Sequence, residues 1–204
     1  MNPSARPRLL AAAASLVVLA AGCATARQYL ALSQVGFSFD HIANVRLAGV
    51  SLDGVRQPSD ISPIAYGRIA AAALRRQIPL EFNIDVNALN PQDNNTTARL
   101  TKFQYTLFLN QHETVSGSMD SSYTFTPGVA SVVRVPISLD VARFFQSNAA
   151  DALDLALGLA GLGSRQTDVE LRAVPTIETP LGPIQYPSPI VIRKTVSAGT
   201  NTAR

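Results

Sequence analysis

From Leu80 to Ala88 the chain alternates without a break: Leu80, Phe82, Ile84, Val86 and Ala88 interleave with Glu81, Asn83, Asp85 and Asn87. Successive strand side chains point to opposite faces, so this order requires a strand with one buried and one wet side. The pattern returns in Phe103, Tyr105, Leu107 and Leu109, and again in Val133, Val135, Ile137 and Leu139. Strands of a parallel sheet, covered on both faces, read as continuous apolar runs, so the alternation points to antiparallel pairing. Weaker strand signals cover Val35–Phe39 and Ile42–Leu52, where a change of phase at Gly49 reads as a bulge. Val115–Phe125 would return from the polar turn at residues 110–113. Thr167–Ile177 and Ile184–Ile192 flank Pro180-Leu181-Gly182-Pro183, a strong turn sequence. A count of about seven to nine short strands predicts a mainly all-β, antiparallel β-sandwich.

Two short helices complete the expectation. Ser62 can cap one and Pro63 suits its first position, with Ile64, Ile69, Ala72 and Leu74 as apolar content. The second runs from about Asn148 to Leu159, with Leu153, Ala156, Leu157 and Ala160 on one side, and Gly161 and Gly163 end it. The small, polar residues after Lys194 predict a fraying tail, 195–204.

The N-terminus carries an export signal. Arg6 and Arg8 precede an apolar run from Leu9 to Ala20, too short to span a bilayer, which needs about 20 residues. The run ends in Leu19-Ala20-Ala21-Gly22-Cys23, and Cys23 is the only cysteine. This arrangement resembles the lipobox of bacterial lipoproteins, in which the cysteine is diacylated on sulfur and becomes the first mature residue. The other reading is an ordinary secretory signal followed by an incidental cysteine. The lipobox reading divides the chain into a signal peptide (1–22), a lipidated tether (23–33), one sandwich domain (34–194) and a flexible tail (195–204). Ala24, where inner-membrane retention uses Asp, then places the protein in the outer membrane facing the periplasm. Processing removes Arg6 and Arg8, leaving 15 basic against 14 acidic side chains, a net charge of +1. No basic cluster for nucleic acid remains. A lipidated Cys23 leaves no thiol for a disulfide, a zinc site or a nucleophile.

Catalytic chemistry finds no home in the sequence. His41 and His112 are the only histidines, neither in a nucleophile motif, and two separated imidazoles make no strong zinc site. Glu81 and Asp85 stand about 13 Å apart on one strand, too far for a glycosidase pair, so a solvated sheet face is expected there. Asp93-Asn94-Asn95 reads as a turn rather than a calcium loop, and Asn94-Asn95-Thr96 matches a glycosylation sequon of little weight beside a bacterial signal. Gly158, Gly161 and Gly163 lack dinucleotide spacing. The expectation is a non-enzyme with no cofactor and no metal.

The order of motifs in the mature chain adds a name. Phe82-Asn-Ile-Asp-Val-Asn-Ala-Leu-Asn90-Pro91, the strand bearing Tyr105, Val115-Ser-Gly117, Thr126-Pro127-Gly128 and Thr179-Pro180-Leu-Gly182 follow one another. This succession resembles the late embryogenesis abundant type-2 family, also called the WHy domain, across roughly residues 35–193. Gln92 departs from the family's second Asn, and residues 93–97 lengthen the turn. The resemblance implies a fibronectin III- or immunoglobulin-like sandwich without catalytic residues, and a role in desiccation or other stress tolerance. Beyond the membrane held through Cys23, the partners it allows are unfolded client proteins, lipid or another envelope protein. An apolar groove beside the second helix would favour a lipid-binding or envelope-assembly factor. An exposed sheet edge would favour a structural adaptor.

Overall fold

The structure is a computed structural model that describes residues 26–55, 57–145, 149–162, 166–179 and 182–197. The lipobox residues Leu19, Ala20, Ala21, Gly22 and Cys23, the whole signal 1–22, Pro180 and the last residues 198–204 lie outside these. Eleven strands are present among the described residues, all in antiparallel pairs. One sheet has the order β2 (Val50–Ser51), β1 (Gly36–Leu47), β3 (Pro79–Leu89), β8 (Ala130–Asp140). The other runs β10 (Gly182–Gln185), β9 (Thr167–Thr179), β5 (Lys102–Leu109), β6 (His112–Met119), and β11 (Ile190–Val196) also pairs with β9. A ribbon of β4 (Ala98–Leu100) and β7 (Tyr123–Phe125) stands apart.

The three alternating runs become β3, β5 and β8, and their apolar members fill the space between the sheets. Phe82, Ile84, Val86, Phe103, Leu107, Val135 and Ile137 are all buried there. The weaker strand signals lie differently in the structure. The first two signals merge into one strand, Gly36–Leu47, because two bulges in its pairing with β3 absorb the changes of phase. Gly49 is not a bulge. Ala48 and Gly49 both have positive φ, +50° and +75°, and form the two-residue turn joining β1 to β2. The strand expected from Val115 starts earlier, at His112, because Asn110 and Gln111 (φ +49° and +68°) suffice for the hairpin. It also stops at Met119, and Tyr123–Phe125 pairs with β4 instead. The run Ile184–Ile192 is likewise two strands: β10 pairs with the end of β9 and β11 with its beginning. Thr195 and Val196 belong to β11 rather than to a frayed tail, and Val196 is buried.

Helices close both ends. At the end where β3 finishes, α1 (residues 26–34) inserts Ala31 and Leu32 into the core. Both residues lie in the stretch expected as a tether, and here they are core. The short apolar spacing of Tyr29, Ala31 and Leu32 gave too little periodicity for a helix to be read. At the opposite end lie α2 (Pro63–Leu74), α3 (Ala142–Phe145) and α4 (Ala149–Leu159). As the sequence predicted, Ser62 caps α2, its Oγ accepting from the Ala65 N–H at 3.2 Å. α4 buries Ala152, Leu153, Ala156, Leu157 and Leu159 and ends at Gly161 (φ +77°), where the Leu162 N–H donates to the Leu157 carbonyl.

Candidate functional site

The motif residues gather at two joints. The first is the end of the sandwich beside α1. Asn90 follows β3, is fully buried, and donates from Nδ2 to the carbonyls of Thr96 (3.1 Å) and Phe125 (2.8 Å). Its Oδ1 accepts from Asn94 Nδ2 at 2.6 Å, and the same Asn94 amide donates to the Ala31 carbonyl at 2.9 Å. That carbonyl belongs to the last turn of α1, where helical carbonyls lack intrahelical partners. The Asn90 backbone carbonyl accepts from Gly128 N–H at 2.8 Å. Pro127 fits the second position of the turn Thr126–Val129, and Gly128 (φ +75°) supplies its left-handed third residue. One buried amide pair therefore ties together β3, the 91–97 loop, β7 and the helix nearest Cys23 in sequence. Pro91 accepts from the Asn94 N–H at 3.1 Å and shapes the loop that turns Asn94 inward.

Asn94 itself was missed. As the middle of a polar turn and the acceptor of a sequon it was expected at the surface, yet it is buried. Its partner is a helix carbonyl more than sixty residues earlier, a contact no local pattern records.

The second joint is Tyr105 with Gly117. The two residues face each other across β5 and β6. A Cβ at Gly117 would lie 2.7 Å from Tyr105 Cζ and Oη, so the ring needs a glycine beneath it. The Tyr105 hydroxyl reaches the Pro136 carbonyl on β8 at 3.3 Å, and burial pushes its pKa up. Tyr123 donates likewise to the Arg134 carbonyl at 3.4 Å. β8 is an edge strand, and Pro136 has no N–H to offer. Two tyrosines and a proline thus block an edge that would otherwise invite pairing. Gly117→Ala is expected to destabilise the domain by about 1–3 kcal/mol through overpacking. Gly67→Ala, on an open helix surface, should stabilise it by roughly 0.5–1 kcal/mol. Chemical unfolding of both variants checks the contrast. Gly182 (φ +106°) opens β10 and lies outside both joints.

The ionisable groups are held in structural pairs. Asp85, expected on a solvated face, is only 1% exposed. Both its oxygens accept from Arg134, at 2.8 and 2.7 Å, and His41 Nε2 stands 3.8 Å away. The register of β3 with β8 sets Asp85 opposite Arg134, which the strands taken singly could not reveal. Their hydrogen bond holds the guanidinium pKa above its ordinary value. His41 lies within β1 with Nδ1 3.0 Å from Asp40, and His112 opens β6 with Nδ1 2.8 Å from the Asn110 carbonyl. On the other sheet Glu170 accepts from Arg193 at 2.6 Å and Arg172 at 2.5 Å, and these bonds lower its pKa. The Arg172 guanidinium also sits 4.2 Å from the Phe108 ring centroid. Glu81 is exposed and does not join Asp85 in any site. No group of three or more His, Cys, Asp or Glu that could hold a metal occurs among the described residues.

Space for a ligand is distributed unevenly. Between the sheets a cavity of about 30 Å³ is lined by Phe37, Val86, Phe103, Val135 and Leu171. It is far too small for an acyl chain. An open depression of about 650 Å³ lies by the β5–β6 turn, with Leu109, Leu139 and Leu155 at its base. Of the α4 side chains, Ala152, Leu153, Ala156, Leu157 and Leu159 pack in the core rather than lining a groove, while Leu155 is half-buried and Ala150 exposed.

The class of protein defined by this geometry is an antiparallel β-sandwich closed by helices at both ends. No family model matches the chain, and no curated protein matches it. Solved structures similar to it include a protein from Archaeoglobus fulgidus, 15% identical, over 58% of this chain and 85% of that one, with a TM-score of 0.37. A protein from Arabidopsis thaliana is 18% identical over 58% and 70% of the two chains, with a TM-score of 0.40. A third, described provisionally as a late embryogenesis abundant (LEA) protein, is 14% identical over 95% and 91%, with a TM-score of 0.39.

Proposed function

We propose that this chain is a noncatalytic, lipid-anchored sandwich that protects envelope components during desiccation or related stress. The observation that carries the anchor is Leu19-Ala20-Ala21-Gly22-Cys23, at the end of the apolar run Leu9–Ala20. At least two acyl chains on Cys23 would hold the protein stably, since each buried CH₂ contributes about 0.8 kcal/mol. The absence of a catalytic role is supported by the placement of the ionisable side chains. Asp85 is occupied by Arg134 across β3 and β8, and Glu170 by Arg172 on its own strand and by Arg193 across β9 and β11. The stress role rests on the resemblance to the late embryogenesis abundant type-2 family. Asn90, Tyr105 and Gly117, which carry much of that resemblance, serve here to hold the sandwich together. Outer-membrane residence follows from Ala24 as a sorting signal.

The reading is tested by drying. A strain lacking the gene should survive desiccation and osmotic upshift less well than its parent. The intact chain should restore survival and Cys23→Ala should not. Equal survival of all four strains under both stresses would remove the protective role.

A further inference from the structure

The helix α2 has two apolar sides, and only one of them is used. Ile69, Ala72 and Ala73 face the fold and are buried. On the opposite side Ile64 is 75% and Leu74 87% exposed. At 3.6 residues per turn these two lie about 80° apart, with Gly67 and Ala71 between them. A helix apolar on every side is ordinarily covered on every side. Beside this face stand Arg68 and Arg75, both exposed, and Arg76 follows directly. Among the described residues none of the three has a carboxylate within 4.0 Å, whereas Arg134, Arg172 and Arg193 all do. Arg76 also holds φ +56°, a conformation glycine adopts at lower cost.

We propose that this face of α2 is a docking surface for an anionic phospholipid bilayer. Ile64 and Leu74 enter the acyl boundary while Arg68, Arg75 and Arg76 meet lipid phosphates. The complementarity is one of charge and shape together. Guanidinium groups match phosphate oxygens bidentately. The surface is a convex helix with small residues at its centre, which suits an interface plane rather than a groove in a protein. α2 lies at the end of the sandwich opposite α1, separated by the twelve residues of β1, about 40 Å. Tethering at one end and α2 contact at the other therefore lay the sandwich along the bilayer instead of standing it upright. The inference rests on the anchor only for this orientation and for the proximity it supplies.

The chain contains no tryptophan, so Leu74→Trp places a single reporter on an exposed position without touching the core. The full chain, made with its own leader and purified from membranes in detergent, is reconstituted into vesicles. These contain phosphatidylcholine alone or mixed with phosphatidylglycerol. Flotation reads the anchor, and tryptophan emission with brominated acyl chains as quenchers reads α2. Flotation with both vesicles is expected, with a blue shift and quenching only where phosphatidylglycerol is present. Arg68→Gln and Arg75→Gln should each weaken the quenched state about fivefold. Raising salt to 1 M, where the Debye length is about 3 Å, should weaken it further. A chain that floats but keeps a water-exposed reporter in both vesicles overturns the proposal. So does quenching that ignores the head group, or a shift that needs an added envelope protein. If the chain fails to float, the anchor reading fails, and emission with excess added vesicles still decides the fate of α2.

Discussion

Asn90→Ala should cost the domain about 3 kcal/mol, lowering the unfolding midpoint by roughly 6–12 °C. The reason lies in what the substitution leaves behind. Asn90 is fully buried, and without its amide the carbonyls of Thr96 and Phe125 lose their donor while Asn94 loses its acceptor. Each unpaired buried polar group costs about 1–3 kcal/mol, and water has no easy route to replace the amide. The damage should be local at first: α1, held through Asn94 and the Ala31 carbonyl, would open before the sheets do. Asn95→Ala, one residue beyond Asn94 and exposed, should change stability by less than about 0.5 kcal/mol. Circular dichroism melts of the three proteins give the comparison. A loss below about 1 kcal/mol for Asn90→Ala would mean that the network is not what closes this end.

Cys23→Ala should move the protein from the membrane fraction to the soluble or unprocessed fraction almost completely. No other cysteine can take the acyl chains. Among the described residues no helix is long and apolar enough to cross a bilayer as an alternative anchor. Surface contact through α2 would add only a weak, salt-sensitive association, so fractionation in high salt separates the two contributions. Retention in salt-washed membranes of a variant that has lost its signal peptide would contradict the anchor.

Legibility in the sequence followed the length and regularity of each signal. β3, β5 and β8 were visible because each alternates over four or more apolar positions, which no helix period can imitate. Helix α2 was visible through Ser62 and Pro63, whose preferences at a helix start are local. The errors share another origin. Residues 36–47 read as two strands because bulges shift the phase, and the partner strand that makes them one lies far away in sequence. Residues 184–192 read as one strand because nothing local says that β9 will accept two successive partners along one side. Ala31 and Leu32 read as a tether because two core contacts on a short apolar spacing leave almost no periodic signature.

The candidate joints divide in the same way. Asn90, Tyr105 and Gly117 were singled out by motif order, and their positions are now accounted for by hydrogen bonding and a 2.7 Å steric limit. Asn94 and the Asp85–Arg134 pair were not found. Both depend on tertiary register, which turns residues of exposed type inward against partners dozens of positions away.

The central claim, a sandwich held to a membrane through Cys23, is tested most directly by mass spectrometry of the mature N-terminal peptide from the protein purified out of a lipoprotein-processing bacterium. The account predicts a chain shortened by 22 residues, beginning at Cys23 and carrying at least a diacylglyceryl adduct on its sulfur. An N-terminus at any other residue, or a Cys23 with a free thiol, would contradict it.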